Sequence, residues 1–334
     1  MTVPLSVVVP VFNEAAHLPA TVDALVEALD GTGFDAELVL VDDGSTDGSA
    51  AAAEKAADGR LAFRSLVQPN GGRFRARRAG LESARGDYVL FLDGRVRLRP
   101  GALAAVGDRV EAGERVWNGH VHVDTRGNPY GAFVDLLVSL AWRDYFARPR
   151  ETSYGAADFD RYPKGTTCFL APRELLLDAF SAYRSGYEDV RYSADDTPLI
   201  RWIAGRERIH LSPSFACDYS PRESLGSFLR HSFYRGIMFV DAHGRRESRF
   251  FPVVAAFFPV SAAFALGALR RPGLAVATTV AGMAAAGAVA AAAGRPADSV
   301  SVAGVAPVYA LAHGAGMWRG LWLLLRRRLA AARA

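Results

Sequence analysis

Over the opening stretch of the chain, apolar positions switch back and forth between the spacing of a buried strand and the spacing of a helix face. Residues 5–11 form a compact, β-branched run of the kind found in a strand buried on both faces. Asn13 then offers an N-cap, and Leu18, Val22, Leu25, Val26 and Leu29 lie on one helical stripe that Gly31 and Gly33 stop. A second strand is expected from Glu37 to Asp42, followed by a loop of Asp, Gly, Ser and Thr. The pattern continues with an alanine-rich helix over 49–57, a strand over 61–67, an arginine-rich helix over 73–84 and a strand from Tyr88 that ends at Asp93. Strands alternating with helices through short loops predict a parallel sheet with right-handed crossovers. Ligands of such sheets gather at the carboxyl ends of the strands. The polar clusters Asn13–Glu14, Asp42–Asp43 and Asp93 all fall at those ends.

Past Gly94 the periodicity weakens. Phe133, Leu136, Leu137 and Leu140 make an apolar helical stripe facing either the core or a membrane. A strand is expected over 165–171, a short helix near 199–203 and a last strand at 209–211. The tail differs in kind, because residues 250–269, 272–294 and 299–318 contain no charged side chain. At about 1.5 Å per residue, each is long enough to cross a hydrocarbon core of about 30 Å. The expected division is therefore a catalytic domain over 1–245 and a membrane region over 246–334, with segments near 250–269, 272–294 and 299–325. Arg245, Arg246 and Arg249 place the start of the first segment inside, yet Arg270 and Arg271 then fall outside, against the positive-inside tendency. A re-entrant hairpin is one resolution. The third segment, which carries Trp318 and Trp322, spans the bilayer or lies in its interface.

Charge sharpens this division. The chain of 334 residues is 50% hydrophobic with a net charge of +4. From Phe251 onward there are eight Arg, no Lys and one acid, Asp298, which leaves the front of the chain slightly acidic. That asymmetry argues against nucleic acid as a partner and for a soluble domain tied to an anionic membrane surface. Cys168 and Cys217 lack metal-type spacing and read as buried thiols of a reducing compartment. The first apolar run is short, contains Pro10 and has no basic leader, so the front of the chain is expected in the cytoplasm at the cell membrane.

Several blocks carry a resemblance. Ser6-Val-Val-Val-Pro-Val-Phe-Asn-Glu14, followed by Val41-Asp-Asp-Gly-Ser-Thr-Asp47, resembles the opening of the family 2 glycosyltransferases. Asn70-Gly-Gly, Ala76-Arg-Arg-Ala-Gly80 and the run from Ala84 to Asp93 resemble the next blocks, and the similarity extends over residues 5–240. The resemblance implies an α/β GT-A fold, Rossmann-like with a mostly parallel sheet, joined here to C-terminal transmembrane or interfacial helices. It implies a mostly inverting enzyme with a UDP- or GDP-sugar donor, of the kind that builds cell-envelope polysaccharide or glycolipid.

The resemblance assigns the nucleotide to Asp43 and to the loop from Pro10 through Phe12 to Glu14. Arg73 shares a helix face with Arg77 and is the favoured diphosphate ligand. Turn formation and helix capping are the alternative for Asp42 and Asp47. Arg222 and the segment Arg230–Gly236 resemble the basic helix that closes over the donor in membrane-linked relatives, which adds Arg235 to the donor set. That segment lacks the Gln and Trp of processive polymerases, so addition of a single sugar is expected. His231 reads as a packing residue.

The chain departs from the family where Asp-x-Asp is expected and Asp93-Gly94-Arg95 stands instead. Asp93 alone is a thin site for Mg²⁺ or Mn²⁺, which take several oxygens. Three readings follow: Arg95 replaces the metal at the diphosphate, Asp93 and the diphosphate still hold a metal, or the site is degenerate. Gly186-Tyr-Glu188 and Ala194-Asp195-Asp196-Thr-Pro-Leu199 resemble the block that supplies the family's base, a role that carries over to Asp196 with Asp195 beside it. The alternative is that one of the two merely caps the helix whose first turn holds Pro198; Glu188 and Asp189 are weaker candidates. The acceptor is a hydroxyl or phosphate near the membrane, with a lipid-linked one suggested by the tail. A polyprenyl-phosphate sugar transferase, which needs no base, and a non-catalytic nucleotide-sugar binder are the alternatives.

Overall fold

The computed structural model describes residues 2–331. In chain order the elements begin β1 (Val3–Val11), α1 (Leu18–Leu29), β2 (Phe34–Asp42), α2 (Ser49–Ala57), β3 (Ala62–Val67), α3 (Arg73–Ser83) and β4 (Tyr88–Leu92). They continue with β5 (Val96–Leu98), α4 (Ala104–Glu111), β6 (Trp117–Val123), α5 (Pro129–Ala141), α6 (Arg143–Phe146), β7 (Thr152–Tyr154), β8 (Cys168–Pro172) and α7 (Arg173–Ala182). The remainder is α8 (Thr197–Ala204), β9 (Ile209–Tyr219), α9 (Leu225–His243), α10 (Phe251–Arg270), α11 (Pro272–Ala292) and α12 (Ser299–Ala331). The chain forms two compact units. One takes the residues up to His122, Trp142–Arg184 and Asp195–Ser220, and the other takes Val123–Ala141, Ser185–Ala194 and the chain from Pro221 onward.

The first unit is built on a mixed sheet in the order β3-β2-β1-β4-β8-β6-β9-β5, with β7 on β9. The four strands of the βα repeats, β3, β2, β1 and β4, are parallel, as their alternation with helices dictates. β8 then joins β4 antiparallel, Leu92 opposite Cys168. The β-branched run of β1 is buried on both sides because it is central: Val7, Val8 and Val9 are each at most 2% exposed. The α1 stripe Leu18, Val22 and Leu25 packs on that sheet with Leu38, Leu40, Leu90 and Leu92.

Two local expectations change. The N-cap of α1 is His17, not Asn13. Asn13 instead adopts a left-handed backbone, φ 55°, and its side-chain oxygen accepts from Thr46 N at 2.8 Å. A short polar side chain is what makes that conformation tolerable away from glycine. β9 runs to Tyr219 rather than ending near 211, because Phe215, Ala216 and Cys217 bury a second stretch of it.

The second unit is helical. The α5 stripe divides: Phe133 and Leu136 are buried with Phe228 of α9 and Val302 and Val305 of α12, while Leu137 and Leu140 stay exposed. α9 and α12 approach backbone to backbone. A Cβ on Gly236 would lie 2.1 Å from the His313 carbonyl oxygen, and one on Gly316 would lie 2.0 Å from that of Phe233. No other residue fits either place. Asp241 of α9 closes the segment 185–194 from within: one carboxylate oxygen accepts from Gly186 N at 2.7 Å, the other from Ala194 N at 3.0 Å. Tyr187 adds a hydrogen bond from its hydroxyl to the Ile237 carbonyl at 2.7 Å. α10, α11 and the stretch Pro296–Leu329 are each long and apolar enough to cross a membrane.

Candidate active site

The site is assembled from three strand ends of the first unit. At the ends of β1 and β2 two loops are wired together mainly through backbone amides. Asn13 N donates to Ser45 Oγ, Glu14 N to Ser49 Oγ and Ala15 N to Asp47 Oδ2, each at 2.9 Å. Asp47 also accepts from the Ser49 amide and hydroxyl. Burial works against its charge, but the bonds from Ser49 and Ala15 N dominate and hold the carboxyl below its ordinary range. Asp42 accepts from Ser45 N at 2.7 Å and shapes the turn. Asp43, 4% exposed, accepts from Gln68 Nε2 at 2.7 Å and from the amides of Gly71 and Gly72, each at 2.8 Å. It therefore fixes the Gly-Gly turn that opens α3. Pro10 is buried in β1, and Phe12 leaves that strand end 48% exposed.

At the end of β4 the carboxylates meet guanidinium groups instead. Arg77, 1% exposed, lies inside α3 on the same stripe as Phe74 and Leu81. It donates from Nη2 to Asp93 Oδ1 at 2.5 Å and from Nη1 to Asp195 Oδ2. Its Nε is buried with no hydrogen-bond partner. Burial pulls this guanidinium down from its ordinary value while Asp93 holds it up, and a guanidinium keeps its proton in such a setting. Arg73, one turn earlier and still 45% exposed along its side chain, places Nη2 3.5 Å from Asp195 Oδ1. Arg95 donates from Nε to Glu14 Oε2 at 2.6 Å, linking the β4 end to the β1 loop. The segment before β8 ties the acids together, since Asp93 N donates to the Thr167 carbonyl and Thr166 Oγ1 to the Asp195 carbonyl. Asp196 sits at the start of α8, where its carboxylate accepts from Thr197 N.

Glu14, Arg73, Asp93, Arg95 and Asp195 are thus brought together, with Asp196 adjoining and Asp43 one loop away. Arg235 is an exposed residue of α9, in the second unit. Arg77 is the residue that the sequence reading passed over. Its spacing of three from Phe74 and four from Leu81 put it on the buried stripe, which was the available signal. Arg78, by contrast, is exposed and pairs with Glu82 at 2.8 Å. His231 is part-buried in α9.

The donor set offers a divalent cation few oxygens. Asp93 and Asp195 are already bridged by one guanidinium, and two more, Arg73 and Arg95, stand within the same cluster. Among the described residues no group of three or more His, Cys, Asp or Glu is arranged to hold a metal ion.

With this geometry in hand, the comparisons with known proteins agree on one class. A mannosyltransferase from Pyrobaculum calidifontis, solved with GDP-mannose and Mn²⁺, superimposes with a TM-score of 0.55 over 91% of this chain and 87% of its own, at 19% identity. The fold is thus the GT-A fold. Residues 6–159 match the family described as glycosyl transferase family 2. An undecaprenyl-phosphate 4-deoxy-4-formamido-L-arabinose transferase of Pseudomonas paraeruginosa is 36% identical over 141 residues, 41% of each chain. The Pseudomonas fluorescens protein of the same description is 34% identical over 183 residues, 54% of this chain and 50% of its own. The chain thus spans about half the length of these curated relatives, or less.

Proposed function

We propose that this chain transfers a single sugar from a nucleotide-diphosphate sugar to a polyprenyl-phosphate acceptor at the cytoplasmic face of the membrane. The observation that carries the choice of acceptor is the state of the two acids expected to supply a base. Asp195 is buried and bridged by Arg77, and Asp196 caps α8. A hydroxyl acceptor needs a base to take its proton; a phosphate arrives ionised and needs none. In the step itself, a phosphate oxygen of the lipid forms a bond to the sugar's anomeric carbon. The bond from that carbon to the diphosphate breaks, and the nucleoside diphosphate leaves with the electron pair. The relatives' lipid-phosphate acceptors and the apolar tail support the same reading.

The leaving diphosphate is assigned to the start of α3, where the solvent-reaching Arg73 offers positive charge. Arg77 holds Asp93 and Asp195 in place behind it. The mannosyltransferase's Mn²⁺ marks the family's usual alternative, which the cationic β4 end of this chain opposes.

A competing reading keeps a hydroxyl acceptor, with Asp196 released from its cap to act as base. One assay separates the two: nucleoside-diphosphate release by the full-length chain, given a panel of UDP- and GDP-sugars with undecaprenyl phosphate. On the lipid-phosphate reading, Asp196→Asn stays within about tenfold of the parent rate. A loss on the order of 10² or more, the scale of general-base catalysis, points to the hydroxyl acceptor. EDTA leaves the rate unchanged if arginines alone neutralise the diphosphate, and its abolition of turnover would restore the metal.

A further inference from the structure

We infer that α10 and α11 cross the bilayer as a hairpin, and that α12 does not cross it but lies along the membrane surface on the side of the catalytic domain. Its Trp322-to-Arg328 end then rests on anionic lipid headgroups. This holds independently of the donor and acceptor.

The argument is topological. Segments 123–141 and 185–194 belong to the second unit, yet the chain enters each of them from the first unit and returns to it directly. Both therefore stay on the catalytic side. Each end of the hairpin is fastened to the first of these segments. Before α10, Arg249 Nη2 donates to the Ala141 carbonyl at 2.8 Å; after α11, Arg295 pairs with Asp135 at 2.7 Å. α10 and α11 thus leave from and return to one side, with Arg270 and Arg271 at the far turn.

α12 is fastened at both ends as well. Its N-terminal turn follows directly on the Arg295–Asp135 pair. Near its C-terminus, Arg327 Nη1 donates to the Ser185 carbonyl at 2.6 Å, and Leu324 lies against Gly186. Ser299 and Arg327 are about 42 Å apart along a helix rising 1.5 Å per residue. A crossing helix of that length would put its ends on opposite sides of a core about 30 Å thick. The contacts place both on one side.

Coverage and composition agree. Protein covers 6% and 11% of the hairpin helices' apolar windows but 28% of the third, which α9 accompanies along its length through Gly236, Gly316 and Gly320. On its exposed side α12 shows Trp322, with Arg319 4.2 Å and Arg326 5.5 Å from its ring centre, while Trp318 packs on Phe258 and donates from Nε1 to Ser261 Oγ of α10 at 3.1 Å. Aromatic side chains beside arginines are the signature of the headgroup layer. The arrangement also settles the charge puzzle of the sequence. Arg245, Arg246, Arg249, Arg295 and the Arg326–Arg328 triplet all fall on the catalytic side, against two arginines beyond.

The test labels single-cysteine variants of the full-length chain in intact cells with a membrane-impermeant maleimide; Cys168 and Cys217 are buried. Arg271→Cys should react from outside, whereas Val300→Cys and Arg328→Cys should react only after the membrane is opened. Reaction of either α12 position from outside overturns the surface placement, and protection of Arg271→Cys overturns the crossing hairpin. Depth-dependent quenching by brominated lipids provides an independent readout. Trp322 should be quenched at shallow depth, and more strongly in phosphatidylglycerol than in phosphatidylcholine vesicles. Deep quenching of Trp322 contradicts the proposal.

Discussion

The carboxylates at the ends of β1 and β2 and those at the end of β4 are satisfied in opposite ways. Asp42, Asp43 and Asp47 take their hydrogen bonds mainly from backbone amides of their own and neighbouring loops. Asp93 and Asp195 take theirs from one buried side chain, Arg77. The first arrangement spreads the compensation over the fold, so that no single residue carries it. The second concentrates it in one guanidinium, whose removal strands two charges in a low-dielectric interior. The difference separates acids that build the platform from acids whose electrostatics are tuned.

The largest effect should come from breaking the concentrated arrangement. Arg77→Met is expected to destabilise the chain by about 3–5 kcal/mol, the cost of a buried pair left without its partner, and to abolish turnover. Thermal unfolding with product assays checks this. Adding Asp195→Asn to Arg77→Met should recover part of the stability, whereas an additive or worse loss would show that Arg77 acts by packing alone. Asp43→Asn, a disruption of the distributed arrangement, should cost less, about 1–3 kcal/mol, because its amide nitrogen faces a Gly71 or Gly72 N–H that it cannot accept. Donor affinity, read by nucleotide-sugar titration, should weaken along with it. A loss as large as that of Arg77→Met would erase the contrast.

The smallest effect concerns a neutral pair in the same unit. His120 Nδ1 lies 2.8 Å from the Tyr145 hydroxyl, and burial, with the charges of His122 and Arg99, pushes the imidazole down to about 4. The folded chain thus holds His120 neutral where the unfolded chain protonates it. Stability should fall as pH drops from about 6.5 toward 4, and change little from this group above that window. His120→Asn should flatten that part of a melting-temperature profile, and an unchanged slope would assign the acid sensitivity elsewhere.

The βα repeats were legible because their signals are local: β-branched runs, a helical stripe and glycine stops lie within single windows of sequence. The antiparallel half of the sheet was less so. β5, β6 and β7 are short or only partly apolar, and they exist through pairing with β8 and β9, which are distant in the chain. At the site, the strand-end acids could be placed from their position alone. Arg77 could not be ranked above Arg73, since both lie on one face and only the packing of α3 decides which is buried. Asn13 failed as a cap because its role depends on Thr46, a partner no local window contains.

The clasp made by Asp241 fixes the end of the short segment that leads back toward the site. Its carboxylate anchors Ala194 to a helix that runs with α12, and the very next residue, Asp195, is held by Arg77. Consecutive α-carbons are about 3.8 Å apart, so the slack between these two anchors is a single residue. The last residue of the 185–194 segment therefore cannot swing away from α9 without breaking the Asp241 bond.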